Sequence, residues 1–345
     1  MSFRLPSYAS HGRLLSVLLA LPLALSTALA QGEEKSPARP ILSIGDYPNV
    51  NGVRLNFRDR GLGTVNGANV TIWTPYEPMS GRVRGLALGL PMTGAGDVDG
   101  LALGVLGVGA GHDITGLTIG GVGAGAGGTL KGIALGGIGL GAGGSVEGIA
   151  LGGIGVGAGG NATGLLVGGI GAAAWGNVHG IAIGGIGTGA GGNVTGIAVG
   201  GVGVGAGGSV KGVLVGGVGV GAGGRVDGLA VGGIGVGAGN TIRGVAIAAV
   251  GVGSPTLEGG FAALFVGAKH ANALVIAPAQ FRIEEGSFTG ASVSVSNYIK
   301  GSQTGLTLGI VNYARSLNGV QIGLINIVAD AKEHPILPLL NWGSR

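Results

Sequence analysis

The sequence of 345 residues contains no cysteine, which excludes disulfide bonds, thiolate metal sites and a cysteine-linked lipid anchor. A fold of this chain must therefore be held together by packing and hydrogen bonding alone. Charged residues make up only 10% of the chain and aromatic residues only 4%, and the formal net charge is +4. Because no basic cluster is interleaved with aromatic residues, the sequence predicts no nucleic-acid partner.

Glycine, in contrast, is abundant, with 84 residues, although 46% of the chain is hydrophobic. The pattern V-x-G-[apolar]-x-[apolar]-G, in which x is any residue, recurs about every 16 residues. The repeated glycines are Gly100, Gly116, Gly132, Gly148, Gly164, Gly180, Gly196, Gly212, Gly228 and Gly244. A fixed period of this size indicates stacked supersecondary units and fits neither a collagen triplet nor a disordered chain.

The N-terminal residues have the pattern of a secretory signal peptide. Arg13 precedes an apolar stretch (residues 14–29), and the small residues Ala28 and Ala30 indicate cleavage before Gln31. The sequence therefore predicts export to the periplasm, the cell surface or the outer membrane.

One repeat, Asn193–Gly208, shows the local structure that the pattern predicts. Its apolar residues form three groups: Val194; Ile197 and Val199; Val202, Val204 and Ala206. The spacing of two within each group indicates a strand, and the spacing of three between groups predicts corners at Gly196 and at Gly200–Gly201. We therefore predict an all-β fold, a β-solenoid of about 16-residue coils with atypical capping coils. An antiparallel meander or β-barrel has a similar period and remains the alternative.

In the solenoid, three ladders of large aliphatic residues are predicted to point inward, because burial of such side chains stabilises a fold most. The first ladder is Ile133, Ile149, Leu165, Ile181, Ile197, Val213 and Leu229. The second is Leu135, Leu151, Val167, Ile183, Val199, Val215 and Val231. The third is Ile138, Ile154, Ile170, Ile186, Val202, Val218 and Ile234.

The same corner pattern extends in a looser form beyond the regular repeats, at Gly52, Gly67 and Gly85 and again at Gly260, Gly290, Gly305 and Gly319. Terminal repeats of a solenoid must cover the ends of its core and are usually atypical. The predicted organisation is a signal peptide (1–30), a flexible leader (31–46), irregular N-terminal coils (47–99), regular repeats (100–259), and degenerate repeats with a C-terminal cap (260–345).

Motifs that carry chemistry are weak in this chain, and we predict no catalytic, cofactor-binding or metal-binding residue. A dinucleotide-type motif at Gly139–Gly144 has no helical pattern after it, and a glycine-rich chain produces such matches by composition. The histidines are scattered, as at His112 and His179, without a carboxylate at ligand spacing. The repeats also lack the aspartates of calcium-binding β-rolls.

One repeated position does vary in chemistry, namely the residue before each repeat glycine. We call these residues the charged column; it runs Asp99, Thr115, Lys131, Glu147, Thr163, His179, Thr195, Lys211, Asp227 and Arg243. The solenoid predicts ion pairs of Lys131 with Glu147 and of Lys211 with Asp227. Two interpretations of this column stay open: its charges only keep an exposed edge solvated, or they form a stripe that recognises a partner.

The stretch Gly305–Ile327 resembles bacterial surface repeat-containing proteins of uncharacterised function, whose unit is G-[LV]-x-[IL]-G-[LI]-[IV]-N-x-A. In the central repeats, glycine takes the place of Asn312 and Asn326 of this unit. The resemblance implies a bacterial exported protein and no catalytic residue. The sequence thus predicts a non-enzymatic structural or interaction scaffold at the cell surface or in the periplasm, with an outer-membrane or membrane-associated protein as the alternative. The partner stays unknown, with a protein surface, the cell envelope or a membrane as candidates.

Overall fold

The computed structural model describes residues 39–74 and 78–343; the predicted signal peptide and residues 31–38 of the predicted leader lie outside the described residues. Contacts divide the chain into two units, Met1–Pro40 and Ile41–Arg345, and the second is described below. It is a parallel β-solenoid, which confirms the predicted fold class. Successive coils pair in parallel, so the antiparallel meander or barrel is not the fold of this unit.

The strands that open the solenoid are β1 (Leu42–Ile44), β2 (Asn49–Arg58), β3 (Thr64–Trp73) and β4 (Arg82–Gly89). The regular region then alternates short odd-numbered and longer even-numbered strands: β5 (Met92–Ala95), β6 (Asp97–Gly104), β7 (Gly107–Ala110), β8 (Ile114–Gly120), β9 (Gly123–Ala126), β10 (Leu130–Gly136), β11 (Gly139–Ala142), β12 (Val146–Gly152), β13 (Gly155–Ala158), β14 (Ala162–Gly168), β15 (Gly171–Ala174), β16 (Val178–Gly184), β17 (Gly187–Ala190), β18 (Val194–Gly200), β19 (Gly203–Ala206), β20 (Val210–Gly216), β21 (Gly219–Ala222), β22 (Arg225–Gly232), β23 (Gly235–Ala238), β24 (Thr241–Ala248), β25 (Gly251–Gly253), β26 (Thr256–Ala262) and β27 (Phe265–Ala268). The last strands are β28 (His270–Ile283), β29 (Ser287–Leu308), β30 (Val311–Val328) and β31 (Ile336–Gly343).

Neighbouring coils are in register, one repeat apart. Val194 of β18, for example, pairs with Val178 on one side and with Val210 on the other. The turns continue the ladder, since the backbone N–H of Ile154 donates to the carbonyl of Ile138 at 2.6 Å. We number the positions of a coil from 1 at Val146 to 16 at Asn161, and equivalent residues of other coils carry the same position number.

The repeat glycines, at position 3, form the predicted corner. Gly196 has a φ of 128°, and a Cβ atom there would lie 2.9 Å from the carbonyl carbon of Gly180 in the preceding coil. An L-residue is strained at this φ and would also push the coils apart, so glycine is required. In the next coil after Gly244 the corner is Gly259, with a φ of 130°, and not the predicted Gly260.

The three predicted inward ladders are wrong, because their side chains lie on the outside of the coil. Ile149 is 38% exposed, Leu151 37% and Ile154 48%. The core is instead built from small residues at positions 1, 5, 7, 11 and 13, which in one coil are Val146, Ala150, Gly152, Val156 and Ala158.

The core is narrow where the chain turns from one strand of a coil to the next. A Cβ atom on Gly152 would lie 2.9 Å from the carbonyl carbon of Gly155 and 3.1 Å from Cγ2 of Val156, so this turn leaves no room for a side chain at position 7. The core is mostly valine, alanine and glycine, and the larger buried residues include Ile114 and Ile242 at position 1. Where Leu166 enters, smaller residues accompany it in the same coil, Ala162 and Ala172.

Both ends of the solenoid differ from its centre. At the start, β1 pairs in parallel with β2 (Leu42 with Val53), so the coils begin within the segment predicted as leader. At the end, β31 pairs antiparallel with β30 (Trp342 opposite Val320), and it covers the edge of that last strand, as expected of a C-terminal cap.

Candidate interaction surface

The outward residues of each coil sort into three faces by position. Positions 16 and 2 form a polar face, positions 4, 6 and 9 an apolar face, and positions 10 and 12 a glycine face. In the coil 162–177 these are Asn177 and Thr163; Leu165, Val167 and Ile170; Gly171 and Ala173. The glycine corner at position 3 separates the polar face from the apolar face.

The polar face is ordered by a ladder of side chains at position 16. The carboxamide oxygen of Asn177 accepts hydrogen bonds from the backbone N–H of Asn193 at 2.8 Å and from the Asn193 Nδ2 at 3.2 Å. These contacts satisfy turn groups of the next coil and rigidify the face. Beside the ladder runs a shallow groove of about 260 Å³, lined in part by His179, Thr195 and Lys211.

The charged column forms position 2 of this face, and part of its predicted pairing is confirmed. Lys131 Nζ lies 3.3 Å from Glu147 Oε2. Lys211 and Asp227 are neighbours in register, but among the described residues they make no ion pair within 4 Å, and Asp227 Oδ1 has no hydrogen-bond partner.

The column continues with one further acid, Glu258, which pairs in register with Arg243. The hydrogen bond from Arg243 Nε to Glu258 Oε2, 2.6 Å long, lowers the pKa of the Glu258 carboxyl group and raises that of the Arg243 guanidinium. Both side chains are well exposed, at 58% and 37%, so solvent screens the pair and its contribution to stability is small.

The apolar face is the largest feature that the sequence reasoning missed. Its residues are the large aliphatic side chains of the three ladders, and they extend without interruption through the regular coils. At position 9 the exposed fraction is 50% for Ile138, 52% for Ile186 and 53% for Ile234. The face is continuous, so it is not a set of scattered surface hydrophobic residues.

A signal in the sequence does locate this face. The residue at position 2 is often charged, so its side chain must point out of the coil. Side chains of a strand alternate between its two faces, so those at positions 4 and 6 point the same way as that at position 2. Burial alternates without a break through Val194, Thr195, Ile197 and Ala198, so the corner at Gly196 turns the strand but does not change which residues point inward.

The glycine face is flat, and the fold does not require its glycines. A Cβ atom on Gly157, Gly189 or Gly205 would meet nothing within 4 Å. At its N-terminal end the chain covers this face itself, since Met79 Sδ would lie 3.3 Å from a Cβ atom on Gly109.

Buried polar residues form clusters at the two ends of the solenoid. Near the start, Arg54 is fully buried, and its Nη1 donates to Asp59 Oδ1 at 2.6 Å and to Asn69 Oδ1 at 3.0 Å. Near the end, the amides of Asn297, Asn312 and Asn326 form a buried ladder. Each amide donates to the next at 2.7 Å.

These clusters replace apolar core in the atypical coils. Pairing in register runs from Val252 through Val266 and Phe281 to Asn297 and Asn312, so the asparagines occupy position 11, where the regular coils have valine, alanine, leucine or threonine. The glycine-for-asparagine alignment expected from the sequence is therefore wrong by one position. The contacts are internal and leave the amides hydrogen-bonded to the protein itself.

The histidines lie apart from one another. His179 is in the charged column, and His270 Nδ1 lies 3.3 Å from Ser287 Oγ. Within residues 39–74 and 78–343, no group of three histidine or acidic side chains is placed to hold a metal ion. The segment Gly139–Gly144 comprises β11 and the turn that follows it.

No helix of the described part of the chain is long and apolar enough to cross a membrane. Comparison with protein-family models, with curated proteins and with solved structures finds no match. Function must therefore be argued from the faces themselves.

Proposed function

We propose that this protein is an exported, non-enzymatic scaffold of the bacterial cell surface or periplasm, and that its apolar face is an interaction surface. The observation that carries the proposal is the continuous exposure of large aliphatic side chains at positions 4, 6 and 9 along the regular coils.

The size of this face supports an interaction role. From the coil of Leu117 to the coil of Val245, at about 4.8 Å per coil, the face is roughly 40 Å long. Its width from position 4 to position 9, at about 3.3 Å per residue, is roughly 16 Å. The resulting area of roughly 650 Å² lies just above the largest apolar patch of a typical monomeric protein, which is about 300–600 Å².

A rigid support for this face also fits a scaffold. Every outward residue sits on a coil that is hydrogen-bonded to the coils before and after it, so the columns keep a fixed spacing. The predicted signal peptide and the resemblance of Gly305–Ile327 to bacterial surface repeat-containing proteins support the location.

The location is tested by expressing the full chain in a Gram-negative bacterium and sequencing the N-terminus of the accumulated protein. The expected mature N-terminus is Gln31, in a periplasmic or surface fraction. A control variant, Leu18→Arg, interrupts the apolar stretch and should retain the precursor in the cytoplasm. Accumulation of an unprocessed cytoplasmic protein from the unaltered sequence would contradict the proposal.

The interaction surface is tested in the same cells with a photo-reactive amino acid that replaces Ile154, on the apolar face, or Gly205, on the glycine face. Light should produce a protein adduct from the substitution of Ile154 and little from that of Gly205. Equal yields, or no adduct from the substitution of Ile154, would refute the role of the apolar face.

A further inference from the structure

The charged column borders the apolar face, and the order of its charges is not random. Extended by one coil at each end, its cations are Arg84, Lys131, Lys211 and Arg243, and its anions are Asp99, Glu147, Asp227 and Glu258. The uncharged stretch between Glu147 and Lys211 has His179 at its centre. On either side of that centre the signs are opposite.

We propose that two copies of this chain dock through their apolar faces with antiparallel solenoid axes, and that the two-fold axis passes through the coil of His179. The inference rests on the proposed role of the apolar face as an interaction surface. A two-fold axis along the strand direction places each position of one copy opposite the same position of the other. The charged columns therefore face each other along one rim of the interface.

In this arrangement every central charge meets its opposite. Lys131 lies opposite Asp227 of the second copy, and Glu147 lies opposite Lys211. Because Lys131 and Glu147 are neighbours in their own copy, the four groups form an alternating square of charges, and the two-fold axis creates this square twice. Lys211 and Asp227, which make no ion pair with each other, gain partners.

Sliding one copy along the other by one coil brings like charges of the two columns together. Sliding one copy by a single coil in one direction places Lys131 opposite Lys211 near the centre of the interface. The same slide opposes Asp99 with Arg243 and Arg84 with Glu258, but only at the two ends of the column. Sliding the copy by one coil in the other direction places Lys131 opposite Arg243 and Glu147 opposite Asp227. Opposed like charges at an interface are costly and select against a wrong register.

A register two coils away, centred on Thr195, again opposes unlike charges. It uses Arg243 and Glu258, which are already bonded to each other within one copy. It also leaves Lys211 opposite His179 and Asp227 opposite Thr163, so the two charges that make no ion pair with each other gain no partner of opposite charge. At the ends of the favoured register Asp99 opposes Glu258, and each of these acids already pairs with an arginine of its own chain.

The area and the chemistry of the face fit a second copy better than a bilayer. Together with the charged column at its rim, the face covers roughly 900 Å², close to the area of about 800 Å² that each partner of a standard stable interface buries. Two copies also have the same column spacing of about 4.8 Å, so their aliphatic columns can stay opposite one another along the whole length. A surface for anionic lipid would carry an excess of lysine and arginine, whereas this rim has four cations and four anions.

The chain contains no cysteine, so single cysteines can report the register directly. The experiment uses the purified mature chain and a bismaleimide that spans about 10 Å, the usual separation of stacked sheets. Ile181→Cys lies on the axis and should cross-link to itself. Ile133→Cys and Leu229→Cys should not cross-link alone, because each is roughly 29 Å from its own equivalent, but a mixture of the two variants should cross-link.

Ala173→Cys, on the glycine face of a neighbouring coil, is the matched control and should stay uncross-linked. Self-cross-linking at Ile197→Cys instead of Ile181→Cys would overturn the register centred on His179. Cross-linking of each single variant to itself would indicate parallel copies and would also contradict the proposal.

Sedimentation separates the failure of this inference from that of the proposed function. The unaltered chain should sediment with twice the monomer mass. The variant Ile183→Glu should sediment as a monomer and keep the β-sheet signal in circular dichroism. The control variant Ala173→Glu should remain a dimer. Two results would refute self-association while leaving the apolar face as an interaction surface. One is a monomer that binds vesicles of anionic phospholipid. The other is an adduct, formed from the photo-reactive residue in place of Ile154, whose mass differs from that of two chains.

Discussion

Two glycines of neighbouring strands, Gly196 and Gly205, should respond in opposite ways to the same substitution by alanine. Gly196 is a corner with a φ of 128°, and its missing Cβ atom would lie 2.9 Å and 3.1 Å from the carbonyl carbon and amide nitrogen of Gly180. Gly205 lies on the glycine face, outside the positive-φ region, and a Cβ atom there meets nothing within 4 Å.

The expected magnitudes follow from these surroundings. At Gly196 the strained φ costs about 1–3 kcal/mol, and the contact with a rigid backbone costs about 1–3 kcal/mol more. Alanine restricts the unfolded chain and offsets about 0.4–1 kcal/mol of this. Gly196→Ala should therefore destabilise the protein by about 2–5 kcal/mol, whereas Gly205→Ala should stabilise it by about 0.4–1 kcal/mol.

The assay is urea unfolding followed by far-ultraviolet circular dichroism, with the midpoint and slope compared for each variant. The midpoint should fall for Gly196→Ala and rise slightly for Gly205→Ala. Equal shifts, or a rise at Gly196, would refute the assignment of position 3 as a strained corner and position 12 as an open outer site.

Three further predictions concern the repeat, the cap and the amide ladder. Deletion of residues 196–211 rejoins Thr195 to Gly212 with every column in register, so the protein should fold with modestly lower stability. Deletion of residues 196–203 breaks the columns and should cause misfolding. If both deletion variants had the same circular dichroism, the 16-residue coil would not be the unit of folding. Removal of residues 332–345 takes away β31 and exposes the edge of β30, so light scattering should detect aggregation; a truncation that removes only residues 344–345 should stay dispersed. Asn312→Ala leaves buried groups of the ladder without partners and should cost about 2–4 kcal/mol in urea unfolding, whereas Asn318→Ala, at an exposed position, should change little.

The period and the corners of this fold were predictable from the sequence, because both depend on glycine in a way that spacing reveals. Only glycine tolerates the backbone of position 3, so the corner appears as an unbroken series of glycines from Gly100 to Gly244. The direction of the side chains was not predicted correctly. Size and hydrophobicity favour isoleucine in a core, and Ile114 and Ile242 are indeed buried at position 1. The other inward positions are mostly alanine, valine or glycine, because the chain turns sharply beside them, and spacing does not reveal how little room such a turn leaves.

The candidate surface was predicted only in part. The charged column and the Lys131–Glu147 pair follow from a stacked repeat and are present. The expected Lys211–Asp227 pair is absent, because exposed side chains choose among several rotamers that sequence spacing does not specify. The apolar face was missed with the side-chain direction, although the parity of Thr195 with Ile197 indicates it. The buried amide ladder depends on pairing between coils of unequal length, which spacing alone does not determine.

The claim on which all of this depends is that small residues form the core and large aliphatic residues lie outside. It is tested most directly by placing lysine at two adjacent residues of β12 and measuring thermal unfolding by circular dichroism. Leu151 is 37% exposed and Ala150 is fully buried. Leu151→Lys should therefore remain folded, with a melting temperature lowered only by the loss of the dimer, whereas Ala150→Lys buries an unpaired charge and should not fold. A folded Ala150→Lys together with an unfolded Leu151→Lys would contradict the account.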